Sequence, residues 1–193
     1  MKAISALLAA AAIITGAAHA ATYEIDPFHT NARFAIDHFR TSTNVGGFYG
    51  LTGEVEFDEA KRKGSVDITI PVDSLQTGSE QFTKHLKSAD LFDAENHPTM
   101  RFVSTKFNYV GKGKARKLSS VDGNLTLLGQ THPVRLKAEK FNCYDSPMLN
   151  KQVCGGDFST TIDRTKWGMD YLVAAGMTKK VRLDIQVEAA KKD

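Results

Sequence analysis

The chain has 193 residues, with 25 Lys and Arg against 22 Asp and Glu, and a formal charge of +3 that falls to +2 once Lys2 is lost with a leader. So mild an excess, with basic and acidic residues interleaved, excludes a nucleic-acid footprint. The length suits one domain with a sizeable core, and no apolar run after the first twenty residues is long enough for a stable membrane span.

Residues 1–20 read as a secretory signal. Lys2 is a short positive n-region, Ala3 to Ile14 form an apolar core too short to span a bilayer securely, and Ala18-His19-Ala20 is a small-x-small cleavage pattern. The expected mature chain, residues 21–193, is a single domain in the periplasm or outside the cell. No cysteine follows the cleavage site, so a lipoprotein anchor is not expected.

From there the period is two. Phe34, Ile36 and His38 alternate with Ala35, Asp37 and Phe39; Leu51, Gly53, Val55 and Phe57 with Thr52, Glu54, Glu56 and Asp58; Val66, Ile68 and Ile70 with Asp67 and Thr69. After Pro71 the pattern breaks. Thr77 as N-cap and Glu80 three residues on form a capping box, and Phe82, His85, Leu86 and Ala89 share one face of a short helix that must pack on the strands. Strand character resumes after Pro98 and runs long, over Thr99 to Val110 and Ala115 to Leu128, around a basic run (Lys112, Lys114, Arg116, Lys117) that reads as a solvated hairpin tip. Val121, Gly123, Leu125 and Leu127, then Val134, Leu136 and Ala138, then Val181, Leu183, Ile185 and Val187, repeat the alternation.

Turn signals fall at Glu59 to Gly64, Gly111 to Gly113, Leu128-Gly129-Gln130 and Gly155-Gly156. One wet face and one apolar face per strand means antiparallel sheet, and about eight or nine strands are expected. Long strands favour closure, which removes exposed edges. The expected fold is all-β: an extended antiparallel barrel with one short helix between strands.

Motifs for chemistry are few. There is no Gly-x-Ser-x-Gly elbow, no Ser-x-x-Lys, no nucleotide fingerprint, and Gly111-Lys112-Gly113-Lys114 lacks P-loop spacing. The two cysteines, Cys143 and Cys154, are expected to form a disulfide in an exported chain. His29, His38, His85, His97 and His132 form no metal-ligand spacing, so no metal is expected. Asp26 and His29 bracket Pro27 as turn chemistry. Arg164 is expected to pair with a carboxylate, and Trp167 to be either a plug at one barrel end or a pocket wall. Periodicity leaves a filled interior and a ligand cavity both open.

Several segments together resemble one family. They are Tyr23 to Thr30 (YEIDPFHT), Phe34 to His38, Gly46-Gly47-Phe48, Lys84 to Asp93 (KHLKSADLFD), His97-Pro98, Phe102 to Thr105, Gly123 to Gly129 with Pro133-Val134, and Arg164 to Gly168. In order and spacing the chain is similar to the YceI family of secreted, lipocalin-like polyisoprenoid-binding proteins. The resemblance implies a barrel that holds an isoprenoid lipid or quinone, or another amphiphile, as ligand, with no separate cofactor and no catalytic residues to carry over.

The leading expectation is therefore a periplasmic carrier. Its predicted lining takes Phe34, Ile36, Phe48, Leu75, Phe82 and Leu86 from the first half, and Leu91, Phe92, Phe102, Phe158, Trp167 and Met169 from the second. A one-residue register slip would invert any of these strands. The competing expectations are a lipid-modifying enzyme using His38 or His85 and a solid-core interaction protein. A homodimer is among the assemblies such a chain could form.

Overall fold

The computed structural model describes residues 20–193. The signal segment expected over residues 1–20 thus lies, except for Ala20, outside the described residues. Eleven strands and one α-helix occur in chain order: β1 (Ala21–Ile25), β2 (Asn31–His38), β3 (Ser42–Tyr49), β4 (Thr52–Asp58), β5 (Lys63–Pro71), β6 (Leu75–Gln76), α1 (Glu80–Leu86), β7 (Thr99–Val110), β8 (Lys117–Leu127), β9 (Gln130–Ser146), β10 (Lys151–Asp163) and β11 (Lys180–Lys191). Every pairing is antiparallel.

Eight of these strands close into a barrel, in the order β1, β4, β5, β7, β8, β9, β10, β11 and back to β1. The other three extend the sheet from β11 through β2 and β3 to β6. Both branches use one edge of β11. Arg182 to Gln186 pair with Ala35 to Asn31 of β2, and Ala189 to Lys191 pair with Ile25 to Tyr23 of β1.

The turn between β1 and β2 makes this sharing work. Pro27 has no N–H to give to a ladder. The Asp26 carboxylate accepts the Phe28 N–H at 2.8 Å and meets His29 Nδ1 at 2.6 Å. Thr30, buried, then replaces backbone with side chain: its hydroxyl donates to the Glu188 carbonyl and accepts the Glu188 N–H.

The alternation read from β4, β5, β8 and β11 holds, with Leu51, Phe57, Ile68, Ile70, Val121, Leu125 and Leu127 buried. Three strands change phase along their length. In β8 the pairing with β7 skips Ser119, so Leu118 and Val121 both face inward. In β7 a bulge between Ser104 and Lys106 moves the inward set from Met100 and Phe102 to Phe107 and Tyr109. In β9 the register against β10 skips Glu139, so Val134, Leu136 and Ala138 face inward before the skip and Phe141 and Cys143 after it. Each bulge inserts one residue and so flips the faces of the residues beyond it.

Gly155-Gly156 is not a turn. Both residues lie inside β10, opposite Asn142 and Phe141, and the hairpin turn comes earlier, at Pro147 to Asn150. The pair permits close backbone approach: a Cβ on Gly156 would lie 2.2 Å from the Lys140 carbonyl oxygen.

The helix forms where expected, with a different cap. Ser79, not Thr77, is the N-cap, its hydroxyl accepting the Phe82 N–H at 3.3 Å. Thr77 instead donates to the Ser79 carbonyl and bonds the Thr83 hydroxyl. Leu86 is buried and Phe82 half-buried, whereas Ala89 lies past the end of the helix and is exposed.

Cys143 and Cys154 are directly opposed in the β9–β10 hairpin and joined by a disulfide. Closing a loop of this length removes unfolded-state entropy equivalent to about 3 kcal/mol. Replacing both cysteines by serine, read by denaturant titration, should lower unfolding free energy by about 2–3 kcal/mol; an unchanged midpoint would show that the hairpin needs no cross-link.

The Asp26–His29 pair gives a pH signature. Hydrogen bonding to the Asp26 carboxylate raises the His29 pKa. Burial alone would raise Asp26, but the bonds from His29 and the Phe28 N–H outweigh it and leave that carboxyl below its ordinary value. The His29 contribution is complete below the unfolded imidazole pKa and is lost as pH rises through the elevated folded value. The Asp26 contribution is complete above the unfolded carboxyl pKa and is lost as pH falls through the depressed one. The pair therefore contributes most between about pH 4 and 6.5. NMR titration should show both displacements, and His29→Ala should return Asp26 toward 3.8; an unmoved Asp26 would contradict the pairing.

Candidate functional site

The interior of the barrel is not filled. A cavity of about 460 Å³ runs along it. On β8 alone its wall extends from Leu118 to Leu127, nine steps of about 3.3 Å, or roughly 30 Å along the strand. Such a space suits a long, thin ligand.

Two glycines set the shape of the wall. A Cβ on Gly46 of β3 would lie 2.5 Å from the Phe34 ring, and one on Gly123 of β8 would lie 2.4 Å from the Phe102 ring. Each ring therefore lies over a neighbouring strand's glycine instead of projecting into the cavity. At one end Phe34, Phe48 and Phe92 form an aromatic cluster, with Phe48 and Phe92 edge-to-face at 5.2 Å. At the other, Phe57 and Phe141 meet edge-to-face at 5.4 Å.

The two ends differ in polarity and exposure. His38, Asn44, His85, Arg164 and Tyr171 border the cavity at the Phe48 end, where the β2–β3 turn, α1 and the β10–β11 connection converge. His38 and Leu172 are exposed there, with Arg33 exposed on the wall nearby. At the opposite end Phe57, Leu118, Val121, Leu136 and Cys154 are all buried. The cavity thus has a polar mouth and an apolar floor.

Ten of the twelve predicted lining residues border this space: Phe34, Ile36, Phe48, Phe82, Leu86, Leu91, Phe92, Phe102, Phe158 and Met169. Leu75 and Trp167 do not. Leu75 is buried in β6 opposite Phe48. Trp167 turns its indole away, donating from Nε1 to the Leu125 carbonyl at 3.1 Å and packing edge-on against His132. Sequence reasoning passed over Ile68, Ile70, Phe107, Leu125, Phe141 and Leu183, which also border the cavity. The alternation already marked four of these six as inward. Phe107 and Phe141 were hidden by the bulges.

Arg164 corrects a second expectation. It is 3 % exposed, and its guanidinium donates to three backbone carbonyls, those of Thr178, Met169 and Tyr171, rather than to a carboxylate. Burial lowers its pKa, against the opposing fields of Asp170 and Asp163. The residue clamps the long β10–β11 connection over the mouth.

The histidines are scattered. His29 pairs with Asp26 outside the cavity, His132 packs on Trp167, His85 lies edge-on to Tyr171 and His38 edge-on to Phe39. Among the described residues no group of three His, Cys, Asp or Glu is placed to hold a metal, and neither His38 nor His85 is hydrogen-bonded to a carboxylate. No helix among them is long and apolar enough to cross a membrane.

Comparison with known proteins agrees with this geometry. A family model described as a YceI-like domain matches residues 23–189. A UPF0312 protein of Vibrio cholerae is 31% identical over 188 residues, covering 96% of this chain and 95% of its own length. A UPF0312 protein of Ectopseudomonas mendocina is 36% identical over 141 residues, 72% of each chain. Among solved structures, a Campylobacter jejuni YCEI protein has a TM-score of 0.68 at 24% identity, covering 82% of this chain and 91% of its own. A polyisoprenoid binding domain from Saccharophagus degradans, implicated in plant cell wall breakdown, has a TM-score of 0.61 at 12% identity, covering 88% and 98%. At those identities the structural likeness establishes the fold.

The ring-over-glycine arrangement is testable. Gly46→Ala should push the Phe34 ring into the cavity near the mouth, since no backbone atom is among its closest contacts. Titration with a fluorescent prenyl amphiphile should show roughly tenfold weaker binding, the equivalent of about 1.4 kcal/mol, with the melting temperature little changed. Unaltered affinity would mean that the ring does not set the wall.

Proposed function

This chain belongs to the YceI-like family, and we propose that it is an exported carrier holding the polyprenyl chain of an isoprenoid lipid or quinone inside its barrel. The observation that carries this reading is the long apolar cavity with its polar groups at one end. Such a cavity complements an amphiphile: tail along the strands, head near His38, Asn44 and His85. The polyisoprenoid binding domain from Saccharophagus degradans, which shares the fold, supports the ligand class. The disulfide and the leader pattern support the periplasm or the cell exterior as the compartment.

The magnitudes suit a carrier. A tail burying on the order of 500 Å² gains roughly 12 kcal/mol gross. Loss of ligand freedom removes about 4–15 kcal/mol of that. The remainder gives reversible binding with soft selectivity for chain length, because an apolar wall reads shape and little else. Binding rather than catalysis is favoured by the cavity chemistry: the polar groups at the mouth include no nucleophile held by a base.

Mass spectrometry of organic extracts from protein isolated from the periplasm tests the proposal. The expected result is an isoprenoid lipid or quinone near one equivalent per chain. Protein recovered free of any stoichiometric amphiphile would overturn it, and conversion of the bound lipid over time would point to an enzyme instead.

A further inference from the structure

The mouth carries apolar surface that the carrier reading does not use. Residues 172–177, Leu-Val-Ala-Ala-Gly-Met, form six successive positions without a polar side chain in the β10–β11 connection. Leu172, Ala174, Ala175 and Gly176 are exposed. Beside them stands the β2–β3 turn, whose tip residue Phe39 is 39% exposed. Continuing the pairing of Arg182 with Ala35 along the two strands brings Lys179 level with His38, so turn and loop are neighbours.

Part of the backbone of both tips is already bonded within the tips. The N–H groups of Val173, Ala175, Gly176 and Met177 donate to carbonyls of residues 170–173. In the turn, Thr41 N–H donates to the His38 carbonyl and Arg40 N–H to the Asp37 carboxylate. Segments bonded in this way leave fewer polar groups to orphan on entering the interfacial layer, which still holds water. Both tips also hold large residues where glycine or asparagine is usual: Phe39 and Arg40 have φ of 53° and 59°, and Leu172 has 59°. Positive φ at both central positions of a tight turn favours Asn-Gly.

Resting on the carrier reading, we propose that this end is a bilayer-docking lip: the Phe39 turn and the 172–177 loop enter the interfacial layer of a lipid membrane and set the mouth against it. Continuity with the cavity selects the occupant. His38, next to Phe39, and Leu172 and Met177, within the loop, all border the cavity, so a tail leaving the membrane at the lip enters the barrel without crossing water. Charges of both signs stand at this end: Arg40, Lys84, Lys179 and Lys180 with Asp37, Glu80, Asp163 and Asp170, and Arg33 and Lys166 besides. Docking is assigned to apolar contact, so binding should not require anionic lipid. The opposite end also exposes apolar residues, Met148 and Leu149 at the β9–β10 tip, but no cavity-lining residue is exposed there. There the β4–β5 tip, with Arg62 and Lys63, is tied to the β7–β8 tip, with Lys112 and Arg116, by the bond from Arg62 to the Gly113 carbonyl. That end would bind anionic surfaces in a salt-dependent way.

The test places an environment-sensitive fluorophore on Ala174→Cys and, at the opposite end, on Met148→Cys, with phosphatidylcholine vesicles prepared with and without phosphatidylglycerol. The expected result is a blue shift at position 174 on both kinds of vesicle, little altered by salt, and none at 148. Adding Phe39→Ser and Ala175→Asp to the 174-labelled protein should reduce vesicle partitioning about tenfold or more. Three outcomes would overturn the proposal: no response at 174, a response confined to 148 that needs anionic lipid and vanishes in salt, or a shift at 174 that grows with protein concentration without vesicles and so reports a second copy. Phe39, Ala174 and Ala175 do not border the cavity. Binding of a soluble fluorescent prenyl probe to the same proteins, measured without vesicles, separates failure of the lip from failure of the carrier reading.

Discussion

One strand edge holds this molecule together. β11 gives its first half to β2 and its second half to β1, and the ring closes only through the second pairing. Without it, β1 and β11 would each present an unpaired ladder, and the interior would open to water along one side. The short turn at Pro27 is therefore more than a connection. It lets consecutive segments of chain share one partner, and the Thr30 hydroxyl, bonded to both backbone groups of Glu188, bridges the gap between the two ladders.

Closure creates the cavity, and small residues keep it clear. Phe34 and Phe102 could each fill part of the interior, yet both rings lie over glycine on the neighbouring strand. An apolar space has a thermodynamic consequence. On the scale of about 24 cal/mol per Å³ found for cavities in protein cores, 460 Å³ left empty corresponds to on the order of 10 kcal/mol of forfeited packing. That is comparable with the whole stability of an ordinary domain. A barrel built in this way gains from an occupant, and the arrangement of polar groups at one end fixes which way an amphiphile enters.

Much of this was legible in the sequence. Uninterrupted alternation located β4, β5, β8 from Val121 onward, and β11, and the expectation of export pointed to a Cys143–Cys154 disulfide. The helix announced itself through Phe82 and Leu86. The features that stayed hidden share a cause: a signal that two structures can produce equally well. Gly155-Gly156 marks a turn or a close backbone approach, and only the strands beside it show which. The bulges in β7 and β9 each insert one residue, so Phe107 and Phe141 face inward against the period of the residues before them. Trp167 was misread as lining because a large side chain at a barrel end can point into the cavity or back to the chain, and Arg164 was misread because a buried guanidinium can be satisfied by carbonyls instead of a carboxylate. Both found backbone carbonyls, at Leu125 and in residues 169–178.

The central claim is that the barrel interior is one continuous, occupied apolar channel. The most direct measurement is a high-resolution crystal structure of protein purified without delipidation from its native compartment. The account predicts unbroken elongated density from His38 and His85 at the mouth to Phe57 and Phe141 at the floor, with the Phe34 and Phe102 rings flat against Gly46 and Gly123. Rings turned inward to fill the interior, with no density between them, would contradict it.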